Sequence, residues 1–204
     1  MFLTFEGLDG SGKSTQVRLL DAYLRDQGRH TLRVREPGGT EVSEHIRTLL
    51  LDPALHIVPF AELLLFSAAR AQLVAQKIRP ALVEGTIVLG DRFFDSTFAY
   101  QGAGRDVADI GWLRGFQERV TGGLLPDRTY YFDAPLDVLV ARRNDREPDR
   151  MEGSDDAFFE RVRAAYLALA EADPDRIHVL DATKSVEALH AEVVADLDAL
   201  AAAR

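Results

Sequence analysis

The residues with the clearest chemical spacing lie near the N-terminus, where Gly7-Leu8-Asp9-Gly10-Ser11-Gly12-Lys13-Ser14 fits the pattern G-x-x-x-x-G-K-S/T. Gly7, Gly10 and Gly12 let the backbone wrap closely around a phosphate and aim N–H groups at it, with Asp9, Ser11 and Thr15 in or beside the loop. A helix beginning at Lys13 adds the positive end of its dipole to the same anion. Lys13 is then placed to reach the β- and γ-phosphates of a nucleoside triphosphate, and the Ser14 hydroxyl to ligate a bridging Mg2+. A glycine-rich turn with a solvated Lys13 is the alternative, disfavoured by the apolar strand before it and by the Lys-Ser pair. A second pair, Asp91-Arg92, closes the run Val88-Leu89-Gly90. At the C-terminal edge of a buried strand, where ligands of open α/β sheets collect, Asp91 suits a metal-bound water and Arg92 a phosphate. An ordinary strand-end ion pair would use the same residues.

Such groups need strands to carry them. Short β-branched or aromatic runs occur at Phe2 to Glu6, Thr31 to Arg35, Thr86 to Asp91, Thr129 to Asp133 and Ile177 to Leu180. Between them lie segments of helical period: Lys13 to Gln27, Thr40 to Leu50, Pro59 to Val83, Ala108 to Val120, Leu136 to Arg143, Asp155 to Glu171 and Ser185 to Ala202. This alternation predicts an α/β domain with a five-stranded parallel sheet and helices on both faces. Two glycine-rich turns, Pro37-Gly38-Gly39 and Gly102-Ala103-Gly104, interrupt the pattern, and the charged stretch from Arg142 to Asp156 reads as a mobile loop.

With 204 residues, 47% of them apolar, the chain can bury one full core, so a single domain over 1–204 is expected. A net charge of −9 disfavours nucleic acid and anionic membrane surfaces, and an anionic substrate must meet a local cationic pocket. The absence of cysteine excludes disulfides, thiolate metal sites and thiol nucleophiles. No basic leader precedes the first strand and no apolar run approaches a membrane span, which predicts a cytoplasmic protein. The guanine-reading pattern Asn-Lys-x-Asp of switch GTPases does not occur. The five histidines, His30, His45, His56, His178 and His190, lack ligand spacing and are assigned no chemistry.

Beyond the phosphate loop, the blocks Arg35-Glu36-Pro37-Gly38-Gly39-Thr40, Phe66-Ser67-Ala68-Ala69-Arg70, Asp91-Arg92-Phe93, Ser96-Thr97-Phe98-Ala99-Tyr100-Gln101 and Asp149-Arg150-Met151-Glu152 follow in order. In this order they resemble the thymidylate kinase family of nucleoside monophosphate kinases. The resemblance implies a P-loop kinase fold with a short mobile lid at about 142–153, and transfer of the γ-phosphoryl group of ATP, with Mg2+, to dTMP for dTTP synthesis. It places Arg92 and Arg47 on the dTMP phosphate with Arg35 nearby, and Asp9 on the sugar 3′-hydroxyl. Phe66 stacks on thymine, Arg70 bonds a base carbonyl, Thr97 and Gln101 lie near the base edge, and Ser96 and Glu36 belong to the same pocket. Pro37 shapes the space for the thymine methyl, and Tyr100 packs under the sugar where a 2′-hydroxyl would clash. Tyr166 closes over the nucleotide or, equally, packs inside its helix.

The residues alone leave other readings open. Phe66, in Leu63-Leu64-Leu65-Phe66, also suits a core position, Arg70 a snorkelling surface position and Arg47 a solvated helix charge. Because this P-loop carries no arginine, the family pattern implies a catalytic arginine in the lid, from Arg143, Arg146 or Arg150, although the stretch also suits a solvated loop. Another monophosphate kinase, for dUMP, dCMP or a deoxypurine nucleotide, is the nearest alternative, and a non-catalytic nucleotide switch a remoter one. The family is homodimeric, with the segments Pro59 to Val83 and Asp95 to Tyr100 expected to supply an isologous interface.

Overall fold

The computed structural model describes residues 1–142, 150–151 and 154–202. Five strands, β1 (Phe2–Gly7), β2 (Thr31–Arg35), β3 (Ile87–Asp91), β4 (Arg128–Asp133) and β5 (Ile177–Asp181), form one parallel sheet in the order β2-β3-β1-β4-β5. Each falls within a residue of its expected run, because buried parallel strands are written as short continuous apolar stretches. All six residues of the central β1 are buried, so both of its faces are covered. Pleating sends Leu3 and Phe5 to one face, where Phe5 meets Tyr130 and Phe132, and Phe2, Thr4 and Glu6 to the other, where Phe2 meets Phe93.

The helices are α1 (Lys13–Asp26), α2 (Glu41–Leu51), α3 (Pro59–Leu73), α4 (Arg79–Val83), α5 (Phe94–Thr97), α6 (Ile110–Thr121), α7 (Leu136–Arg142), α8 (Asp156–Ala172) and α9 (Val186–Ala202). Thr40 caps α2 by accepting the Ser43 N–H, and Asp109 and Asp155 cap α6 and α8 in the same way. Two features depart from the sequence expectations. The single helix expected from Pro59 to Val83 contains a π-helical turn at Val74–Ile78, which joins α3 to α4. Gly102-Ala103-Gly104 is no turn: α5 runs directly into a π-helical segment, Phe98–Gly104, whose two glycines face neighbours that leave little room for a side chain. A Cβ on Gly104 would lie 2.6 Å from the Phe158 ring.

Candidate active site

At the C-terminal ends of β1 and β3 lies a cavity of about 420 Å3 that gathers most of the residues singled out in the sequence. From the phosphate loop and strand ends come Asp9, Lys13, Ser14, Asp91 and Arg92. From the β2–α2 connection and α2 come Glu36, Pro37 and Arg47, and from α3 and the α5 segment Phe66, Arg70, Ser96, Thr97, Tyr100 and Gln101. Arg35 joins them, together with two residues to which the sequence assigned no role of their own, Leu51 and Met151. Five cationic and three acidic side chains line this space. A chain of net charge −9 thus presents a locally cationic site, suited to anions.

The loop after β1 is built by backbone conformation. Gly10 and Gly12 take φ of +89° and +90°, where other residues are strained, and a Cβ on Gly10 would also meet Leu139 O at 2.8 Å. Gly7 begins the turn, and Thr15 is half-buried on the first turn of α1 without lining the cavity. Among the described residues no side chain caps the N-terminus of α1, and no acid lies in its first turn, which leaves its N–H groups and positive dipole end for an anion. The Ser11 hydroxyl is buried with no hydrogen-bond partner among the described residues, a further donor fitting a phosphate. Ser14 Oγ donates to Asp91 Oδ2 at 2.5 Å. These two hard oxygen donors, at a helix start and a strand end, fit a divalent cation that keeps most of its waters. Among the described residues no group of three or more His, Cys, Asp or Glu could hold a metal ion.

Asp9 joins the loop to β3. Its Oδ1 accepts from Lys13 Nζ at 3.1 Å and from Arg92 Nη2 at 3.0 Å. Although burial works to raise it, these two cations hold the Asp9 carboxyl well below the usual carboxylate range. Arg92 has a left-handed backbone, φ 72°, an arrangement costing about 1–3 kcal/mol outside glycine and found at sites whose surroundings enforce it. Glu6 supplies that enforcement. Its Oε1 accepts the Phe93 N–H at 2.7 Å, and its Oε2 accepts from Ser96 Oγ at 2.6 Å and Tyr166 Oη at 2.8 Å. Burial, and then Asp95, push the Glu6 carboxyl up to about 7. The Arg92 guanidinium lies 5.1 Å from the centre of the Tyr100 ring, and burial pushes the Tyr100 phenol up to about 12.

The other end of the cavity is organised by Arg70. The snorkelling alternative is wrong: the residue is 1% exposed and all three guanidinium nitrogens are engaged. Nε and Nη2 meet Glu36 Oε2 at 2.7 and 2.6 Å, Nη1 donates to Thr97 Oγ1 and Gln117 Oε1, and Nη2 also donates to Phe93 O. Burial outweighs Arg70 and raises the Glu36 carboxyl. Breaking such a buried pair costs about 3–5 kcal/mol, whereas the exposed Arg35–Glu44 pair is worth about 1 kcal/mol or less, so Arg70 and Glu36 are the fixed partners here. Arg47 donates to Pro37 O at 2.9 Å and faces the cavity, so it is no solvated helix charge. Phe66 is partly buried and both lines the cavity and packs on the core. Tyr166 does not line the cavity; it is 2% exposed and stacks on Tyr131 at 4.7 Å, so packing wins over closure on the nucleotide.

Of the lid arginines, Arg143 and Arg146 lie outside the described residues. Arg150 is turned toward α3 and the end of α2, with Nη1 2.7 Å from Glu62 Oε2 and Nε donating to Leu50 O at 2.7 Å. Sequence reasoning passed over Glu6, Glu62 and Gln117. The two acids had a signal: each stands inside an apolar run, where a carboxylate must find a partner or pay a desolvation cost.

The thymidylate kinase family model matches residues 5–193. A thymidylate kinase from Chlorobium luteolum is 48% identical over 208 residues, covering 97% of each chain. One from Bifidobacterium longum is 47% identical over 205 residues, covering 98% of each. The crystal structure of thymidylate kinase from Ehrlichia chaffeensis matches with a TM-score of 0.79 at 36% identity, over 97% of this chain and 98% of that one. These matches run through the phosphate loop, the strand ends and the Arg70 helix alike, and the chain belongs to the thymidylate kinase family.

Proposed function

We propose that the chain performs its family's phosphotransfer as ATP + dTMP to ADP + dTDP, with both nucleotides meeting in the single cavity between Lys13 and Arg70. The observation that carries this reading is the opposition of two unlike ends in one space: a phosphate loop with Lys13 and the Ser14–Asp91 pair, and an arginine-lined pocket with an aromatic wall. The ATP phosphates are held by the backbone of residues 7 to 12 and the start of α1, with Lys13 on the β- and γ-phosphates. Ser14 and Asp91 are the residues that would hold Mg2+, which supplies charge neutralisation on those phosphates when bound. Arg92 and Arg47 grip the dTMP phosphate, Asp9 accepts from the sugar 3′-hydroxyl, and Tyr100 excludes a 2′-hydroxyl. Phe66 stacks on the base, and Arg70, Thr97 and Gln101 face its edge beside Glu36, Pro37 and Ser96.

The acceptor oxygen belongs to a phosphate already ionised at neutral pH, so no general base is needed. Rate enhancement comes from in-line positioning and from cations fixed where charge moves. We assign the lid contribution to the arginines of 142–153, with Arg143 and Arg146 ahead of Arg150, which is already paired with Glu62. The same reading makes 1–204 a single kinase domain acting in the cytoplasm, with neither nucleic acid nor membrane as partner. No helix among the described residues is long and apolar enough to cross a membrane. A homodimer is supported by the exposed apolar side chains of α3 and α6, where Phe60 and Trp112 are 50% and 44% exposed with ring centres 6.3 Å apart. The segment Asp95 to Tyr100 is not available for it, being buried inside the chain except at the half-buried Ser96. Sedimentation equilibrium showing a monomer at micromolar concentration would remove the dimer.

The test of the activity is ADP release from Mg·ATP against a panel of dTMP, dUMP, dCMP, deoxypurine monophosphates and UMP. Turnover is expected with dTMP ahead of all others. Equal turnover of dTMP and UMP would overturn the assignment of the pocket.

A further inference from the structure

Glu62 stands in the apolar stretch of α3, is 1% exposed, and has no part in the phosphotransfer described above. It gathers three segments of chain. Glu62 Oε1 accepts from Gln101 Nε2 at 2.9 Å and lies 3.6 Å from Arg105 Nε, and Oε2 lies 2.7 Å from Arg150 Nη1. Next to Arg150 in sequence, Met151 lines the cavity. Gln101 lines it too, and is only 2% exposed. Glu62 itself does not line it, so Gln101 stands between the carboxylate and the cavity.

A side-chain amide has a donor end and an acceptor end of nearly the same shape, and its partners decide which way it points. A carboxylate flanked by two guanidinium groups offers only acceptors, so Gln101 must turn its NH2 toward Glu62. The carboxamide oxygen is then directed away from Glu62. Pyrimidines differ at the matching atom: N3 carries a hydrogen in thymine and uracil, whereas in cytosine N3 is itself an acceptor. An oxygen held toward N3 pairs with the first and opposes the second.

We propose that Glu62 is a positioning residue for base selection, fixing the Gln101 amide so that its oxygen accepts from the N3–H of a keto-pyrimidine and rejects cytosine. This rests on the reading of Gln101 as a base-edge residue. The selectivity follows from leaving acceptors face to face in a buried site, the kind of mismatch that discriminates more strongly than shape does.

The experiment compares kcat/KM for dTMP and dCMP in the unsubstituted enzyme, Gln101→Leu, Glu62→Gln and the double variant. Glu62→Gln can donate or accept, so it frees the Gln101 amide to turn. Its dTMP-to-dCMP preference should fall about tenfold, the change being carried by KM for the monophosphate and not by KM for ATP. The double variant should show no further loss beyond Gln101→Leu alone. Glu62→Asp, still an acceptor-only carboxylate, should retain the preference. If Gln101→Leu leaves the preference intact, the base-edge reading is wrong. If it lowers the preference but Glu62→Gln does not, that reading stands and the role of Glu62 is overturned. A merely structural Glu62 would weaken both nucleotides equally. Should Glu62→Gln not fold, side-chain NMR of the unsubstituted enzyme decides: one Gln101 amide proton should exchange slowly with solvent through its bond to Glu62, and fast exchange of both would overturn the proposal.

Discussion

The two ends of the cavity are held together by different means. On the function proposed above, the binding groups at the phosphate end are backbone N–H groups, placed by glycine conformations within eight consecutive residues. At the end proposed for the base they are side chains from three distant segments, and Arg70 alone joins Glu36, Thr97, Gln117 and the Phe93 carbonyl, 23 to 47 residues away. The first arrangement survives loss of a side chain because the loop geometry does not depend on it. In the second, Arg70 is a structural strut as well as the binding group proposed above, so at Arg70 function and stability cannot be removed separately.

Two substitutions should expose this contrast. Lys13→Ala is expected to lower kcat by about 10,000-fold, the scale on which a single cation matters in phosphoryl transfer. Asp9 keeps its bond to Arg92, so thermal unfolding should be little changed. Arg70→Met should instead cost about 4 kcal/mol of stability, because it strands a buried Glu36 carboxylate, and should lower Tm by about 10 °C. An equal loss of Tm in the two variants, measured by calorimetry, would break the distinction between the ends.

That contrast also explains what the sequence made legible. The strands, the phosphate loop and Asp91-Arg92 are local patterns: apolar runs, glycine spacing, and a charge pair at a strand end. The Arg70 cluster is not local. In sequence Arg70 looks like any helix arginine beside small residues, and its burial becomes evident only when α3 packs on α2, α6 and the α5 segment. The partners of Glu6 and Glu62 lie 30 or more residues away, so the acids signal that a partner exists without saying which. The close packing of Gly102 and Gly104 in the helix at Phe98–Gly104 against Leu113 and Phe158 brings together residues that sequence spacing does not connect.

Glu6 lies between the two ends, on the central strand, and sharpens the comparison through pH. Its carboxyl is raised by burial from 4.5 to about 7, so the fold favours the neutral form. The stability this gives is complete below pH of about 4.5 and is lost as pH rises to about 7. Across that window the unsubstituted protein should lose about 3 kcal/mol relative to Glu6→Gln, whose side chain cannot ionise. Urea unfolding at pH 4.5 and 7.5 checks this. Parallel pH dependence in both proteins would show that Glu6 does not titrate in this range.

Phe66 gives the smallest expected effect and the finest division between binding and packing. It lines the cavity and touches the core, so Phe66→Ala removes a stacking face and opens space at once. A stacked base is worth about 1–3 kcal/mol to an aromatic ring, which predicts a rise in KM for dTMP of about 5-fold to 140-fold with KM for ATP unchanged. A core phenylalanine truncated to alanine costs about 3–5 kcal/mol of stability, but a partly buried one loses less, so the change in Tm should stay well below that of Arg70→Met. Phe66→Leu separates the contributions further, since leucine restores apolar volume without a flat ring. It should recover most of the Tm and little of the dTMP affinity. If it recovers both, Phe66 acts by filling space and not by stacking on the base.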